Sequence, residues 1–172
     1  MNLPPTTEIA ERIRAELAPH CERIEIAGSI RRRKSEVHDI ELVAIPRTVA
    51  EPGLFGNQGT RRAPNFIEAA REIGLIRKGY LGTGRYVQLQ LPEEINLDLF
   101  MARPENWGLI FAIRTGSAAY SHHVLAAAWC RAGYHSMDGM LVKGFHKIPI
   151  REERELFDLI GLPWAEPWKR NL

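Results

Sequence analysis

Apolar and polar residues recur along the chain with two periods, and these periods predict its helices and strands. Residues 7–17 carry apolar side chains at helical spacing, and Thr6 or Thr7 is the predicted N-cap. The alternation typical of strands occurs in 23–28, 38–45, 75–81, 85–91 and 95–102. The first part of the chain is therefore expected to contain a sheet.

The remaining segments predict a helix-rich second part. Further helices are expected at 64–74, 105–116, 117–133 and 152–160. Short strands are expected around 134–137 and 140–143, and residues 46–63, rich in Pro, Gly and Arg, predict a mobile loop. We predict an α+β fold with a mixed or antiparallel sheet in residues 1–105 and a smaller α+β part in 106–172.

Composition and charge narrow the class of protein. With 45% hydrophobic and 26% charged residues in a chain of 172, the composition is that of a folded globular protein. The net charge is only +2, so affinity for nucleic acid would have to come from clustered cations. Such clusters occur at 31–34, 61–62, 77–78 and 169–170.

Cysteine usage and hydropathy predict a soluble cytoplasmic protein. Cys21 and Cys130 lie far apart and form neither a disulfide framework nor a zinc-finger pattern, which suits a reducing compartment. The N-terminus has no apolar signal core, and no stretch approaches the roughly 18 apolar residues of a membrane span. We expect no membrane partner.

Two carboxylates interrupt an apolar run in the second predicted strand. Asp39 and Glu41 are two residues apart, so their side chains project from the same face. Asp98, in a later predicted strand, adds a third carboxylate if that strand lies nearby in the same sheet. Three carboxylates suit Mg²⁺ or Mn²⁺, and two such ions about 3.5–4 Å apart would clamp a phosphoryl displacement.

A glycine-serine turn precedes these acids and predicts a phosphate site. Gly28 follows a strand and lets the backbone approach a ligand, while Ser29 begins a short helical turn. Arg32, one turn further on, can reach the same phosphate with its planar guanidinium. A Gly-Ser turn or a pair of strand carboxylates is each common in proteins that bind neither phosphate nor metal. Their combination at this spacing is specific.

Together these residues resemble the nucleotidyltransferase superfamily typified by DNA polymerase beta. The resemblance rests on Gly28-Ser29, the Asp-Ile-Glu triplet at 39–41 and the distant Asp98. It continues in 114–134, RTGSAAYSHHVLAAAWCRAGY, which is similar to the T-G-S segment and following helix of family-X polymerases. Residues 148–171, with E-x-x-[IL]-F and E-P-x-x-R, are similar to that family's ending.

The resemblance implies a minimal family-X DNA polymerase, with a palm in 1–105 and a nucleotide- and DNA-contacting subdomain in 106–172. Asp39, Glu41 and Asp98 would be catalytic and would hold two Mg²⁺ or Mn²⁺ ions, with Asp98 activating the attacking 3′-hydroxyl. The residues that would bind the nucleoside triphosphate are Gly28, Ser29, Arg32, Thr115, Gly116 and Ser117. Those that would contact the DNA primer and template are Arg31, Arg33, Lys34, Arg85 and Tyr86.

Departures from the family pattern predict low fidelity. Glu41 stands where the family usually has a second Asp, and Ile113-Arg114 replaces an aromatic pair before Thr115. The positions that in the family touch base, sugar or template carry Ala118, Ser121 and Leu125. We expect an error-prone enzyme of the gap-filling or repair type, with weak sugar discrimination and weak, salt-sensitive DNA binding.

Two other functions remain open at this stage. The first is a minimal nucleotidyltransferase that modifies RNA, a protein or a small molecule, because it would share the Gly-Ser and carboxylate motifs. The second is a non-catalytic nucleic-acid-binding module. We expect the protein to act as a monomer.

Overall fold

The computed structural model describes residues 3–52 and 58–172, and its largest element is a five-stranded mixed sheet. The strands are β1 (Cys21–Ile26), β2 (Asp39–Pro46), β3 (Thr48–Pro52), β4 (Gln58–Arg62), β5 (Leu75–Gly79), β6 (Tyr86–Gln90), β7 (Asn96–Met101), β8 (His135–Met137), β9 (Met140–Lys143) and β10 (His146–Ile148). The five-stranded sheet has the order β1-β2-β7-β6-β5, in which β2 and β7 are parallel and the other neighbours are antiparallel. The fold is α+β, as the sequence predicted.

Helices cover the sheet and build most of the C-terminal part. They are α1 (Leu3–Leu17), α2 (Gly28–Arg31), α3 (Pro64–Ile73), α4 (Trp107–Thr115), α5 (Ala118–Tyr120), α6 (Ala127–Arg131) and α7 (Glu153–Leu159). A π-helical turn, Ser121–Ala126, joins α5 to α6, so the predicted helix at 117–133 forms but is not a regular α-helix. Short 3₁₀ turns lie at Ala18–His20, Pro104–Asn106 and Pro167–Lys169.

The five-stranded sheet is covered on both faces, because its strands alternate between two apolar clusters. On one face, Ile40 and Leu97 pack with residues of α1 and α3. On the other face, Val43 and Phe100 pack with Trp107 of α4. Successive side chains along a strand point to opposite faces of the sheet, so they pack alternately against α4 and against the layer formed by α1 and α3.

The C-terminal part has an apolar cluster of its own. Leu109 of α4, Leu125 of the π-helical turn and Phe157 of α7 pack against Leu141 of β9. That strand is the centre of a three-stranded sheet with the order β10-β9-β8. The sequence predicted β8 and β9 but not β10.

The prediction of a mobile loop at 46–63 is wrong for the described part of that segment, since 53–57 lie outside the described residues. β3 and β4 pair antiparallel, with Thr48 opposite Arg62 and Pro52 opposite Gln58. All five residues of β3 are exposed, so this hairpin has no apolar alternation that a sequence could show. Backbone hydrogen bonds rather than burial define it.

The predicted N-cap at Thr6 or Thr7 is also wrong. α1 begins at Leu3, so both threonines lie inside the helix, and Thr6 is fully buried. Two prolines precede them at positions 4 and 5, and proline is well tolerated in the first turn of a helix. Among the helices of the described chain, none is both long enough and apolar enough to span a bilayer.

Candidate active site

The pairing of β2 with β7 brings the three predicted carboxylates together on one face of the sheet. The parallel register sets Glu41 opposite Asp98 and Asp39 opposite Asn96. Intervening residues such as Ile40 and Leu97 point into the opposite core. The acids therefore share the face on which α4 packs, at the edge where the apolar cover of that face ends.

Two donors from the next strand hold Asp98. The Tyr86 hydroxyl donates to Asp98 Oδ1 at 2.8 Å, and Gln88 Nε2 donates to the same oxygen at 2.9 Å. β6 carries both donors because it pairs antiparallel with β7, with Gln88 opposite Asp98 and Tyr86 opposite Phe100. The Tyr86 and Phe100 rings stack, with centroids 5.1 Å apart, which fixes the direction of the hydroxyl.

The acids repel one another, and two arginines oppose that repulsion. The pKa of Glu41 is raised to about 7, first by burial and then by the charge of Asp39, while Arg32 and Arg114 oppose the shift. The pKa of Asp39 is raised by burial and then by the charge of Asp98. The site therefore concentrates negative charge that a cation would relieve.

Arg114 is a cation whose position near the three acids the sequence did not predict. Its guanidinium lies over the Phe100 ring at 3.9 Å from the centroid, although the side chain is exposed overall. Partial burial lowers the pKa of Arg114, and the charges of Glu41 and Asp98 oppose this shift. An arginine thus lies beside the acids at a position where the sequence analysis noted the loss of an aromatic pair.

The Gly28-Ser29 turn lies against Glu41. Gly28 has φ +60°, and a Cβ at this position would stand 1.7 Å from Glu41 Oε2, so only glycine fits. The backbone N–H of Ala27 donates to the Glu41 carbonyl at 2.8 Å, which ties the turn to β2. The Ser29 hydroxyl is buried and has no hydrogen-bond partner within the described chain, which leaves it free for a ligand.

The two arginines that follow the turn both contact the C-terminal part. Arg32 donates to the Thr115 carbonyl at 2.7 Å and to Asn171 Oδ1 at 3.1 Å. Arg31 donates to Thr115 Oγ1 at 2.5 Å and makes a bidentate pair with Glu153, at 2.9 and 2.6 Å. Contact of either guanidinium with phosphate or DNA would require these bonds to exchange.

The predicted Thr-Gly-Ser segment lies beside the same turn, because Thr115 is the residue that both arginines contact. The Ser117 hydroxyl caps α5 by accepting from the Tyr120 N–H at 3.0 Å and also accepts from the Leu172 N–H at 3.3 Å. A Cβ on Gly116 would stand 2.7 Å from Ser121 Oγ, so this position too favours glycine. All three residues therefore hold the junction between α4, α5 and the C-terminal tail.

The other predicted DNA contacts are dispersed. Arg33 has φ +58° and lies over the Trp168 ring at 4.5 Å, while Lys34 is exposed. Arg85 is exposed and 3.8 Å from Asp138, and with Tyr86 it lines a cavity of about 260 Å³ that Arg114 also borders. The structure thus brings Arg85 to the cavity that Tyr86 and Arg114 border, while Arg33 contacts the C-terminal tail.

The sequence analysis missed Gln88 and Glu153, and it named Arg170 only within the cation cluster at 169–170, as a source of affinity for nucleic acid. Arg170 is fully buried, and its Nη1 donates to Glu153 Oε1 at 2.5 Å. Both residues belong to the E-x-x-[IL]-F and E-P-x-x-R segments, so the available signal was the family resemblance of these segments. Gln88 gave no signal, because a glutamine on a strand is common.

The acids fit a divalent cation by chemistry, although their side chains do not converge on one point. They supply only carboxylate oxygens, which Mg²⁺ and Mn²⁺ prefer, and their mutual repulsion favours such an ion. No cluster of three or more His, Cys, Asp or Glu side chains in 3–52 and 58–172 is arranged as a metal site. The side chains would therefore have to turn to share an ion.

Comparison with known families supports a polymerase-like kind of protein. Residues 111–171 match the family described as DNA polymerase beta thumb. This match to part of the chain supports a family-X DNA polymerase-like protein and DNA binding. The three acids lie outside the matched residues. No curated protein matches the chain.

Proposed function

We propose that this protein transfers a nucleotidyl group from a nucleoside triphosphate to the 3′-hydroxyl of a DNA primer. One observation carries the proposal: the β2–β7 register places Asp98 opposite Glu41, with Asp39 on the same face. The thumb-type segment at 111–171 supports DNA as the acceptor. The reaction forms a bond between the 3′-oxygen and the α-phosphorus and breaks the bond to pyrophosphate.

The Gly28-Ser29 turn would bind the leaving phosphates. Gly28 lets the backbone come close, and the unpartnered Ser29 hydroxyl would donate to a phosphate oxygen. Arg32 would add a planar guanidinium by exchanging its bonds to Thr115 and Asn171. Thr115, Gly116 and Ser117, beside this turn, would then border the sugar and base.

Asp39, Glu41 and Asp98 would hold Mg²⁺ or Mn²⁺, in a pair of ions. Bound there, the ions would supply charge stabilisation for both the attacking and the leaving oxygen. Asp98 would accept the proton of the 3′-hydroxyl with Oδ2, because Oδ1 already accepts from Tyr86 and Gln88. Arg85 and Tyr86 border the cavity next to Asp98 and would contact the primer.

We propose low fidelity and weak sugar discrimination, consistent with gap-filling or repair synthesis. The Ala118 side chain has no polar atom that could contact a substrate. The Ser121 hydroxyl is already engaged, because it donates to the Ile113 carbonyl at 2.7 Å. Leu125 is fully buried and faces the core rather than a substrate. Large discrimination requires a site whose own polar groups lose partners with the wrong substrate, and these three positions supply none.

The two parts of the chain would have different roles. Residues 1–105 would act as the palm, and 106–172 would act as the nucleotide- and DNA-contacting subdomain. We propose a cytoplasmic monomer. Its net charge is only +2, so its binding to DNA would be weak and salt-sensitive.

Primer extension with each dNTP and NTP, with and without a template strand, tests the function. Asp98→Asn should lower incorporation by about 100-fold or more, because it removes the proton acceptor while preserving shape. Glu68→Gln, an exposed acid on α3, is the matched control and should leave incorporation unchanged. Full activity of Asp98→Asn would end the proposal.

Primer extension also distinguishes the proposed function from the two alternative functions. Transfer to RNA or protein without extension of a DNA primer would favour the broader nucleotidyltransferase. DNA binding without any transfer, by a folded protein supplied with Mg²⁺ or Mn²⁺, would favour a binding module.

A further inference from the structure

The tip of the β9–β10 hairpin exposes an aromatic ring completely. Phe145 has a relative exposure of 103%, the highest of the large apolar side chains in the described chain. It stands in the two-residue connection between Lys143 and His146, which are paired across the hairpin. Burial of an aromatic ring is favourable, so this fully exposed ring offers a free apolar surface for a partner.

The hairpin presents this ring on a defined backbone. Gly144 has φ +61°, the left-handed conformation of tight hairpin turns, and the space around its Cβ position is open. Lys143 anchors the base of the tip, because its Nζ donates to the Ala132 carbonyl at 3.1 Å and lies over the Tyr134 ring at 4.9 Å. A ring on an anchored tight turn loses little conformational freedom when a ligand stacks on it.

The charge around the tip selects an anionic partner. Residues 139–151 contain no Asp or Glu but carry Lys143, Lys147 and Arg151 together with His146. Lys147 and His135 are both exposed and flank the buried Val142 on one face of the three-stranded sheet, so Lys147 adds a further cation near the tip. An exposed ring among cations combines base stacking with phosphate attraction, which is how single-stranded nucleic acid is bound without sequence preference.

We propose that Phe145 and the cations beside it form a binding site for single-stranded nucleic acid, remote from the acids. The opposite end of this sheet, at Asp138, is the end that approaches Arg85. The tip therefore lies about one strand length, on the order of 13 Å, further from that residue. This site goes beyond the proposed transfer reaction and does not require it.

Fluorescence anisotropy with a labelled single-stranded oligodeoxynucleotide tests the site. Phe145→Ala should weaken binding about tenfold, the order expected when one base loses its aromatic platform. Phe145→Leu should weaken it as much, because leucine keeps an apolar surface but has no π-face. Phe145→Trp should bind at least as well as the wild type, with its fluorescence quenched on binding.

Met137→Ala is the matched control, since Met137 is an exposed apolar residue at the other end of the same sheet. It should bind as the wild type does. The Phe145 variants should also melt at the wild-type temperature, because the ring has no buried surface to lose. Wild-type affinity in Phe145→Ala or Phe145→Leu would overturn the proposal.

Vesicles of anionic phospholipid test the other partner that an exposed ring among cations could meet. Phe145-dependent binding to vesicles without Phe145-dependent binding to the oligonucleotide would also overturn the proposal. Primer extension run in parallel keeps the two proposals apart. If the wild type transfers no nucleotide but Phe145→Ala still loses oligonucleotide binding, the transfer function fails and this site stands.

Discussion

At the residue scale, Asp98 differs from the other two acids in the donors that hold it. Its Oδ1 accepts from both Tyr86 and Gln88, which orients the carboxylate and leaves Oδ2 free. Partners that orient a ligating carboxylate typically change metal affinity or activity by about 10- to 100-fold when they are removed. Tyr86 and Gln88 are positioning residues on this reasoning.

Tyr86→Phe should therefore weaken Mn²⁺ binding by about tenfold, because it deletes one donor and keeps the ring stacked on Phe100. Electron paramagnetic resonance of free Mn²⁺ measures this without any turnover. Tyr80→Phe, an exposed tyrosine in the β5–β6 connection, is the control and should bind as the wild type does. Equal Mn²⁺ affinity in all three proteins would remove Tyr86 from this role.

Glu41 makes stability depend on pH when divalent cations are absent. Its pKa is raised from 4.5 to about 7 in the folded protein, so the folded state holds a proton that the unfolded state releases. The resulting stabilisation is complete below about pH 4.5, and it is lost as pH rises through about 7. Asp39, whose pKa is also raised, acts in the same direction.

The free energy of unfolding of the wild type should thus fall as pH rises from about 4.5 to 7, measured in urea with a chelator present. Glu41→Gln should fall less steeply over that window, because glutamine does not titrate. Parallel pH profiles for the two proteins would contradict the assignment.

At the element scale, the π-helical turn Ser121–Ala126 decides which side chains face the core. A π turn inserts one residue and rotates the helix that follows it, and such turns are frequent at functional sites. Here it buries Leu125 completely and leaves His122 and His123 exposed on the other side. The position that the family resemblance assigned to substrate contact is therefore a core position.

Leu125→Ala should destabilise the protein by about 2–5 kcal/mol, since it opens a cavity in a closed apolar cluster. His122→Ala, on the same turn, should change stability by no more than about 0.5 kcal/mol, because the side chain is exposed. Urea unfolding measures both. Similar losses of unfolding free energy in the two variants would mean that the π-helical turn does not bury Leu125 in preference to His122.

At the scale of the whole molecule, one buried ionic network joins the two parts of the chain. Glu153 accepts from Arg31, which follows the Gly28-Ser29 turn, and from Arg170 near the C-terminus. The Arg170 side chain is fully buried, and Glu153 is only 8% exposed. Through Arg31 and Thr115, this network also fixes how α4 meets the predicted phosphate turn.

Glu153→Gln should destabilise the protein by about 3–5 kcal/mol, because it leaves the buried Arg170 charge without a counterion. Glu152→Gln is a matched control one residue away, since Glu152 pairs with Arg23 at an exposed site. It should cost no more than about 1 kcal/mol. Equal losses of stability would show that the network does not hold the two parts together.

The local sequence determined the features that follow from short-range patterns of residues along the chain. Asp39 and Glu41 had to share a face because strand side chains alternate, and Gly28 after β1 indicated a turn that only glycine accommodates. The predicted strands at 85–91 and 95–102 formed with slightly trimmed ends for the same reason, and the strand predicted at 75–81 formed as well, although every residue of β5 is exposed. The exposed β3–β4 hairpin could not be foreseen, because it has no apolar alternation.

Only the tertiary structure decided which distant groups meet. Asp98 reaches Glu41 because β7 pairs with β2 across many intervening residues, a choice governed by long-range burial rather than by local spacing. The same packing brings Arg32 to Thr115 and Asn171, and it places Arg114 beside the acids. A sequence shows which residues carry charge, but the free energy of burying that charge is set by neighbours that folding alone supplies.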